Sequence, residues 1–219
     1  MKNNIWEIFR GVAAFLVMFH HYTERYDGVI GHLDDWPVQS LYGGQIGVCM
    51  FFIFTGMFLM PSLVRSGNYL TYLKKKAIRL YPYYIPCVII TFICLKITPP
   101  IMGRESSWGD LFANLTMFQS FIGYNHIDGV YWTLSVQLLV YILMGGLFFL
   151  LRKNDWNFVV AIVVWFIIDT IMSVVGFVLG RDLPFSSILL VRTIHLFVQG
   201  LLIWFLTSKT IQDKTRQDK

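Results

Sequence analysis

The chain has 219 residues, of which 56% are apolar, 17% aromatic and only 14% charged, with a formal net charge of +5. This composition lies far outside the soluble average, leaves no room for a sizeable soluble domain and describes an integral membrane protein. The positive charge falls mostly in loops and in the tail, which argues against nucleic-acid binding and for a role in membrane orientation.

Six segments are long enough to cross a hydrocarbon core of about 30 Å, which takes roughly 20 helical residues. They run from Ile5 to Tyr22, Ile46 to Val64, Leu80 to Ile97, Val130 to Leu151, Phe158 to Gly180 and Ser186 to Thr207. The expected fold is therefore all-α, a polytopic bundle of about six transmembrane helices forming one membrane domain over residues 1–219. The first span is expected to stay in the mature protein, because Glu7 and Arg10 interrupt it and it ends in His20 and His21 rather than in small residues. Pro82 and Pro86 enter the third span early, where the second proline is expected to kink the helix. Cys49, Cys87 and Cys94 are odd in number and lack zinc spacing, so they are read as buried packing residues, with no disulfide framework and no metal.

Lys2, Arg65, Lys74, Lys75, Lys76, Arg79, Arg152, Lys153, Lys209, Lys214, Arg216 and Lys219 all fall on one side when spans alternate. Both termini are then expected in the cytoplasm. The opposite side receives residues 27–44, 99–129 and 181–184, which carry His32, Asp34, Asp35, Glu105, Asp110, His126 and Asp128. Within the larger of these loops, Trp108, Leu111, Phe112, Leu115, Phe118 and Ile122 recur at helical spacing and predict an amphipathic helix. Asn114-Leu115-Thr116 matches a glycosylation acceptor, a short pattern that also arises by chance.

Chemistry enters with the ionisable groups at membrane depth, which are costly and usually mark a pathway or a reacting centre. Eleven helical steps of about 100° separate Arg10 from His21, which puts them on one face roughly 16 Å apart along the axis. His20 is turned away by about 100°. His21 is a candidate general base, and Glu24, three residues on, is a candidate partner for its ring. The plainer reading of His21 is an interfacial anchor or a structural hydrogen bond. Arg10 reads either as an ion pair with Glu7 or as an anion clamp. Arg79 and the run Lys74 to Lys76 read either as orientation signals or as a phosphate-binding rim. Asp169 and Arg192 are expected to pair across the fifth and sixth spans. Gly43, Gly44, Gly47, Thr55 and Gly56 are expected to serve close helix packing.

Taken in order, these segments resemble a family. RGVAAFLVMFHH is similar to the first-helix signature of the membrane acyltransferase-3 proteins, an arginine followed after ten residues by a histidine. GVCMFFIFTGMF resembles the second-helix pattern of that family, YLKKKAIRLYPYY its basic entry to the third helix, and VYWTLSVQLLVYIL its later tryptophan, serine and acidic motif. The resemblance carries Arg10 and His21 directly, with Arg79, Trp132 and Ser135 as secondary matches. Cys49 stands where the family commonly has an acidic residue, Gln137 replaces the usual glutamate, and about six spans stand where relatives have about ten.

The resemblance implies transfer of an acyl group, commonly acetyl, from cytoplasmic acetyl-CoA to a hydroxyl of an envelope or exported carbohydrate. In that reading His21 and Glu24 are catalytic, Arg10, Arg79 and Lys76 hold the acyl-CoA, and Trp132, Ser135 and Gln137 face the acceptor. The donor is a substrate, with no permanently bound cofactor and no metal. The expected partners are membrane lipid, acyl-CoA, a carbohydrate acceptor and a second copy of the chain, in a bacterial plasma membrane. Direct transfer and an acyl-histidine intermediate both remain open. The rival reading is a non-catalytic relative acting as a binding or assembly partner in polysaccharide export.

Overall fold

The computed structural model describes residues 4–22, 43–97, 105–151, 155–180 and 194–217. Every regular element among them is helical: α1 (Asn4–Tyr22), α2 (Gly43–Met57), α3 (Leu59–Val64), α4 (Tyr69–Ile97), α5 (Trp108–Leu115), α6 (Trp132–Leu151), α7 (Asp155–Leu179) and α8 (Ile194–Gln217), with single 3-10 turns at Gln119–Phe121 and Gly129–Tyr131. Among the described residues four segments are long and apolar enough to cross a membrane: Gly44–Val64, Tyr69–Ile97, Gly129–Leu151 and Val160–Leu179. They cover the expected second to fifth spans. The expected first and sixth correspond to shorter apolar helices, Ile8–His21 and Ile194–Ser208, so four full-length spans stand among the described residues where about six were expected. Phe177, Val174, Ile171 and Ile167 lie exposed along α7, as suits a helix whose solvent is lipid.

The chain divides into two compact units, Met1–Met60 with His195–Lys219, and Pro61–Ile194. In the first, α1 packs along α2, and α2 crosses α8. Small residues make both crossings possible, as expected from the glycine pattern. A Cβ at Gly47 would stand 2.8 Å from the Ala13 carbonyl oxygen, and one at Gly56 or Gly200 would collide with the backbone of Phe197 or Ile53. Without hydrophobic drive between helices in lipid, such close backbone approach supplies the attraction. The stop between α2 and α3 also has a local cause. Pro61 lacks an N–H, and its ring would meet the carbonyl four residues back, at Met57, where α2 ends.

In the second unit, α4 packs on α5 and α6, and α6 on α7. Helix α4 begins at Tyr69, eleven residues before the expected span, because Asn68 caps it: the Asn68 Oδ1 accepts the Thr71 N–H at 2.8 Å. The basic run Lys74 to Arg79 is therefore helical rather than part of a connecting loop. Pro82 and Pro86 lie well inside α4 rather than in its first turn, and the helix continues through both. The expected burial of the cysteines is corrected as well: Cys87 and Cys94 lie on the exposed side of α4, Cys49 is half-buried, and no disulfide joins them.

Residues 105–131, which precede α6, form a built structure. The expected amphipathic helix is shorter than its apolar spacing suggests, ending at Leu115, and its buried face holds Asp110, Leu111, Ala113 and Asn114 while Trp108 and Phe112 are exposed. Ser107 and Asp110 form a capping box at its start. Asn114 is fully buried, and its amide donates to the carbonyls of Asp110 and Asn125 while accepting the Ile127 N–H. A side chain so enclosed is no glycosylation acceptor in the folded protein. Tyr84 and Tyr81 of α4 donate to the carbonyls of Asn114 and Thr116, which ties this segment down on an apolar core of Tyr84, Val88, Phe92, Leu111, Met117 and Tyr131.

Candidate functional site

Two of the proposed site residues stand on α1. His21 is half-buried, and its Nδ1 lies 2.7 Å from the Val17 carbonyl oxygen one turn earlier. A carbonyl only accepts, so Nδ1 carries the proton and donates it. In the neutral ring Nε2 is then the unprotonated nitrogen, the form a general base needs. His20 is placed differently. Its ring fills the space over Gly44 on α2, in the position a Cβ there would occupy, and meets the His21 ring edge-on at 5.4 Å. The two adjacent histidines are thus placed differently, His20 against Gly44 of α2 and His21 bonded within its own helix.

Arg10 lies half-buried with its guanidinium 4.2 Å from the centre of the Phe58 ring, at the break between α2 and α3. Phe54 on α2 packs against Trp6 and Phe9 of α1 close by. Stacking on an aromatic face moderates the cost of a cation among apolar groups. The side chain of Glu7, its expected ion-pair partner, lies outside the described residues, as does Glu24, the expected partner of His21.

Five further candidates belong to the second unit. Lys76 is only 7% exposed, 4.2 Å from the centre of the Tyr141 ring and 5.3 Å from that of Tyr72. Gln137 is buried one turn before Tyr141 and donates to its hydroxyl at 2.8 Å. Lys76 and Gln137 are therefore brought together through Tyr141. Gly145 allows this, since a Cβ there would stand 2.7 Å from the Tyr72 ring. Arg79 is exposed on α4, and Lys75, also exposed, donates to the Arg65 carbonyl at 3.5 Å. Trp132 opens α6 and is partly exposed, whereas Ser135 is buried and donates to the carbonyl of Tyr131, the last residue of the preceding 3-10 turn, at 3.3 Å. Asp169 is buried on α7, and its expected partner Arg192 lies outside the described residues.

Tyr72 and Tyr141 were not legible as site residues. The available signal was spacing: Tyr72 precedes Lys76, and Gln137 precedes Tyr141, by four residues each, which stacks each pair on one helix face.

Comparison with known proteins bears on the chain as a whole. The family profile described as acyltransferase domain matches residues 3–205. The chain belongs to that family. It is 29% identical over 201 residues to a protein named O-acetyl transferase from Shigella phage Sf6, across 84% of this chain and 56% of that one. It is 24% identical over 238 residues to nodulation protein 10 of Rhizobium leguminosarum bv. viciae, across 97% of this chain and 63% of the relative. The chain thus spans somewhat more than half the length of these relatives. No solved structure matches it. Its place in the acyltransferase family, with an O-acetyl transferase among its relatives, supports an acyltransferase and, with its apolar helices, a membrane protein.

Proposed function

We propose that this protein is a membrane O-acyltransferase that moves an acyl group, commonly acetyl, from acyl-CoA to a carbohydrate hydroxyl of an envelope or exported glycan. The observation that carries the reading is the His21 tautomer, fixed by the Val17 carbonyl so that Nε2 accepts a proton. As the acceptor oxygen attacks the thioester carbonyl, its proton passes to Nε2; the C–O bond forms, the C–S bond breaks, and the imidazolium returns the proton to the leaving thiolate. Positioned acid-base catalysis of this kind contributes about 10² to 10⁴ in rate. Glu24 is assigned to orient the ring.

Arg10 and Arg79 are assigned to the anionic part of acyl-CoA, with Lys76 supporting the start of α4 from its buried position. Trp132, Ser135 and Gln137 are assigned to the acceptor side. Both termini and the basic start of α4 are placed in the cytoplasm of a bacterium, where the donor is made. In this division Arg79→Ala raises the apparent KM for acyl-CoA and leaves turnover nearly intact, whereas His21→Ala lowers turnover.

The test is transfer of labelled acetyl from acetyl-CoA to saccharides by the full chain in lipid, in the parent, His21→Ala and His20→Ala. The expected result is transfer by the parent, a loss of about 10² to 10⁴ in His21→Ala, and most activity kept per folded molecule in His20→Ala. Undiminished transfer in His21→Ala rejects the assignment of the base. Saccharide binding without any transfer by the parent points instead to the non-catalytic binding partner.

A further inference from the structure

Between α4 and α6 the protein spends buried polar groups on fixing an exposed turn. Asp110 accepts the Asn125 N–H at 3.1 Å, and the Asn114 amide grips Asn125 and Ile127 on either side of His126. Gly123, at φ +81°, folds the chain back so that the Tyr124 N–H reaches the Gln119 carbonyl at 3.0 Å. What this scaffold holds in place is a relay from core to surface. Gln119 is fully buried and its Nε2 lies 2.9 Å from His126 Nδ1, while His126 Nε2 lies 2.7 Å from the hydroxyl of the exposed Ser120.

The relay has a direction. An amide nitrogen donates, so Nδ1 of His126 accepts, and the ring proton of the neutral imidazole sits on Nε2, directed at Ser120 Oγ. Receiving that bond polarises the Ser120 hydroxyl and leaves its own proton to point outward as a donor. Burial also lowers the pKa of His126, which agrees with a neutral ring. Opposite tautomers thus distinguish His126 from His21, whose Nε2 is the bare nitrogen.

The surroundings select the ligand. Residues 105–128 contain Glu105, Asp110 and Asp128 and no lysine or arginine, and the nearby Lys96 ammonium of α4 acts on the buried Asp110 carboxyl, so the turn itself offers no cation to an anionic donor such as acyl-CoA. Tyr124, on the same turn, is 45% exposed, and its ring lies against Gly109. An exposed aromatic ring beside a preorganised hydroxyl donor suits a neutral polyhydroxylated molecule, which offers oxygen acceptors and C–H faces together.

We propose that Ser120, His126 and Tyr124 form a subsite for a neutral carbohydrate hydroxyl on the acceptor, with His126 acting as a hydrogen-bond donor through Ser120 and not as a base. The proposal rests on the acyl-transfer reading for the identity of the acceptor, but binding can be measured without transfer.

The test uses the full chain in lipid nanodiscs, with ligand-observed NMR of methyl β-glucopyranoside and glucuronate and, in parallel, the acceptor KM for acetyl transfer. Ser120→Ala and His126→Ala are expected to weaken glucoside binding and raise the acceptor KM by about two- to tenfold with kcat nearly unchanged. His126→Gln keeps an N–H donor and is expected to stay near the parent; glucuronate should bind more weakly than the glucoside throughout. Ser120 is exposed, so its variant is expected to fold like the parent, which thermal unfolding verifies. Unchanged glucoside binding in both alanine variants overturns the subsite. Loss of kcat in His126→Gln equal to that in His126→Ala makes His126 a base and overturns the donor role. Glucoside binding by the parent that is lost in Ser120→Ala, with no transfer by either, upholds the subsite and rejects the acyl-transfer reading.

Discussion

Helix α1 and the segment between α4 and α6 treat their polar side chains in opposite ways. On α1, among the described residues, His21 bonds to a carbonyl one turn back, and that bond decides which ring nitrogen carries the proton. In residues 105–128, Asp110 and Asn114 are buried and bonded on every side, to Ser107, Asn125 and Ile127. A buried group with its capacity filled holds a shape, because its loss leaves its partners unsatisfied. A half-buried group with one nitrogen oriented and the other available can exchange a proton. Bonding capacity left over, more than burial, separates the two roles.

The largest effect expected from this contrast is on turnover. His21→Ala should reduce acetyl transfer by about 10² to 10⁴ while leaving thermal stability close to that of the parent, since the bond to the Val17 carbonyl is local to one helical turn. Parallel measurement of kcat and melting temperature checks it. A fall in stability as large as that for a buried network residue would place His21 with the structural group and erase the contrast.

Asn114→Ala should behave in reverse. It removes three bonds and strands the buried Ile127 N–H, with the Asn125 carbonyl left at the edge of the core, a cost of about 1 to 3 kcal/mol for an unsatisfied buried group. Denaturant unfolding of the parent and variant in the same detergent measures it. Transfer per folded molecule should fall far less than in His21→Ala.

These two positions also show what the sequence could and could not convey. The difference between the two histidines was legible because helical periodicity is local: spacing alone set His21 apart from His20, which packs over Gly44. Glycine packing on α2 was legible for the same reason. The early start of α4 was missed because Lys74 to Lys76 read as a polar connection, whereas one side-chain cap at Asn68 carries the helix through them. The network around Asn114 was invisible because its partners are set by folding, with Tyr84 reaching Asn114 across 30 residues. An apolar spacing that seemed to promise a long amphipathic helix gave way to a capping box and a buried asparagine.

Lys76 lies between the two extremes, buried like a network residue yet charged like a functional one. Its ammonium over Tyr141 and Tyr72 should contribute about 1 to 2 kcal/mol, but removing a buried charge also removes its desolvation cost. Lys76→Met should therefore be nearly neutral for stability. Tyr141→Leu should cost more, because it takes a ring from beneath the cation and the hydroxyl acceptor from Gln137. Melting temperatures of the two variants order them, and a greater loss in Lys76→Met would show that the charge itself holds α4 to α6.

The smallest expected effect is a pH dependence confined to the 105–128 segment. Burial pushes the Asp110 carboxyl up, but hydrogen bonds from the Ser107 side chain and backbone and from the Asn125 N–H, together with the Lys96 charge, outweigh it and hold the group below its ordinary value. The folded state therefore binds the proton less readily than the unfolded one, and stability from Asp110 is present above the ordinary carboxylate pKa and lost as pH falls through the folded value. His126, lowered by burial, has the same sign at higher pH: its contribution is complete above the ordinary histidine pKa and declines below it as the unfolded ring takes up a proton first. Acidification should thus weaken the segment in two steps, one just below the histidine range and one in the carboxylate range. His126→Gln should remove the first step and leave the second, and Asp110→Asn the reverse. Hydrogen exchange at the backbone amides of Asn125 and Ile127, followed against pH in the parent and both variants, reads the steps separately. A first step that persists in His126→Gln would assign it to another group and return His126 to the ordinary surface histidines.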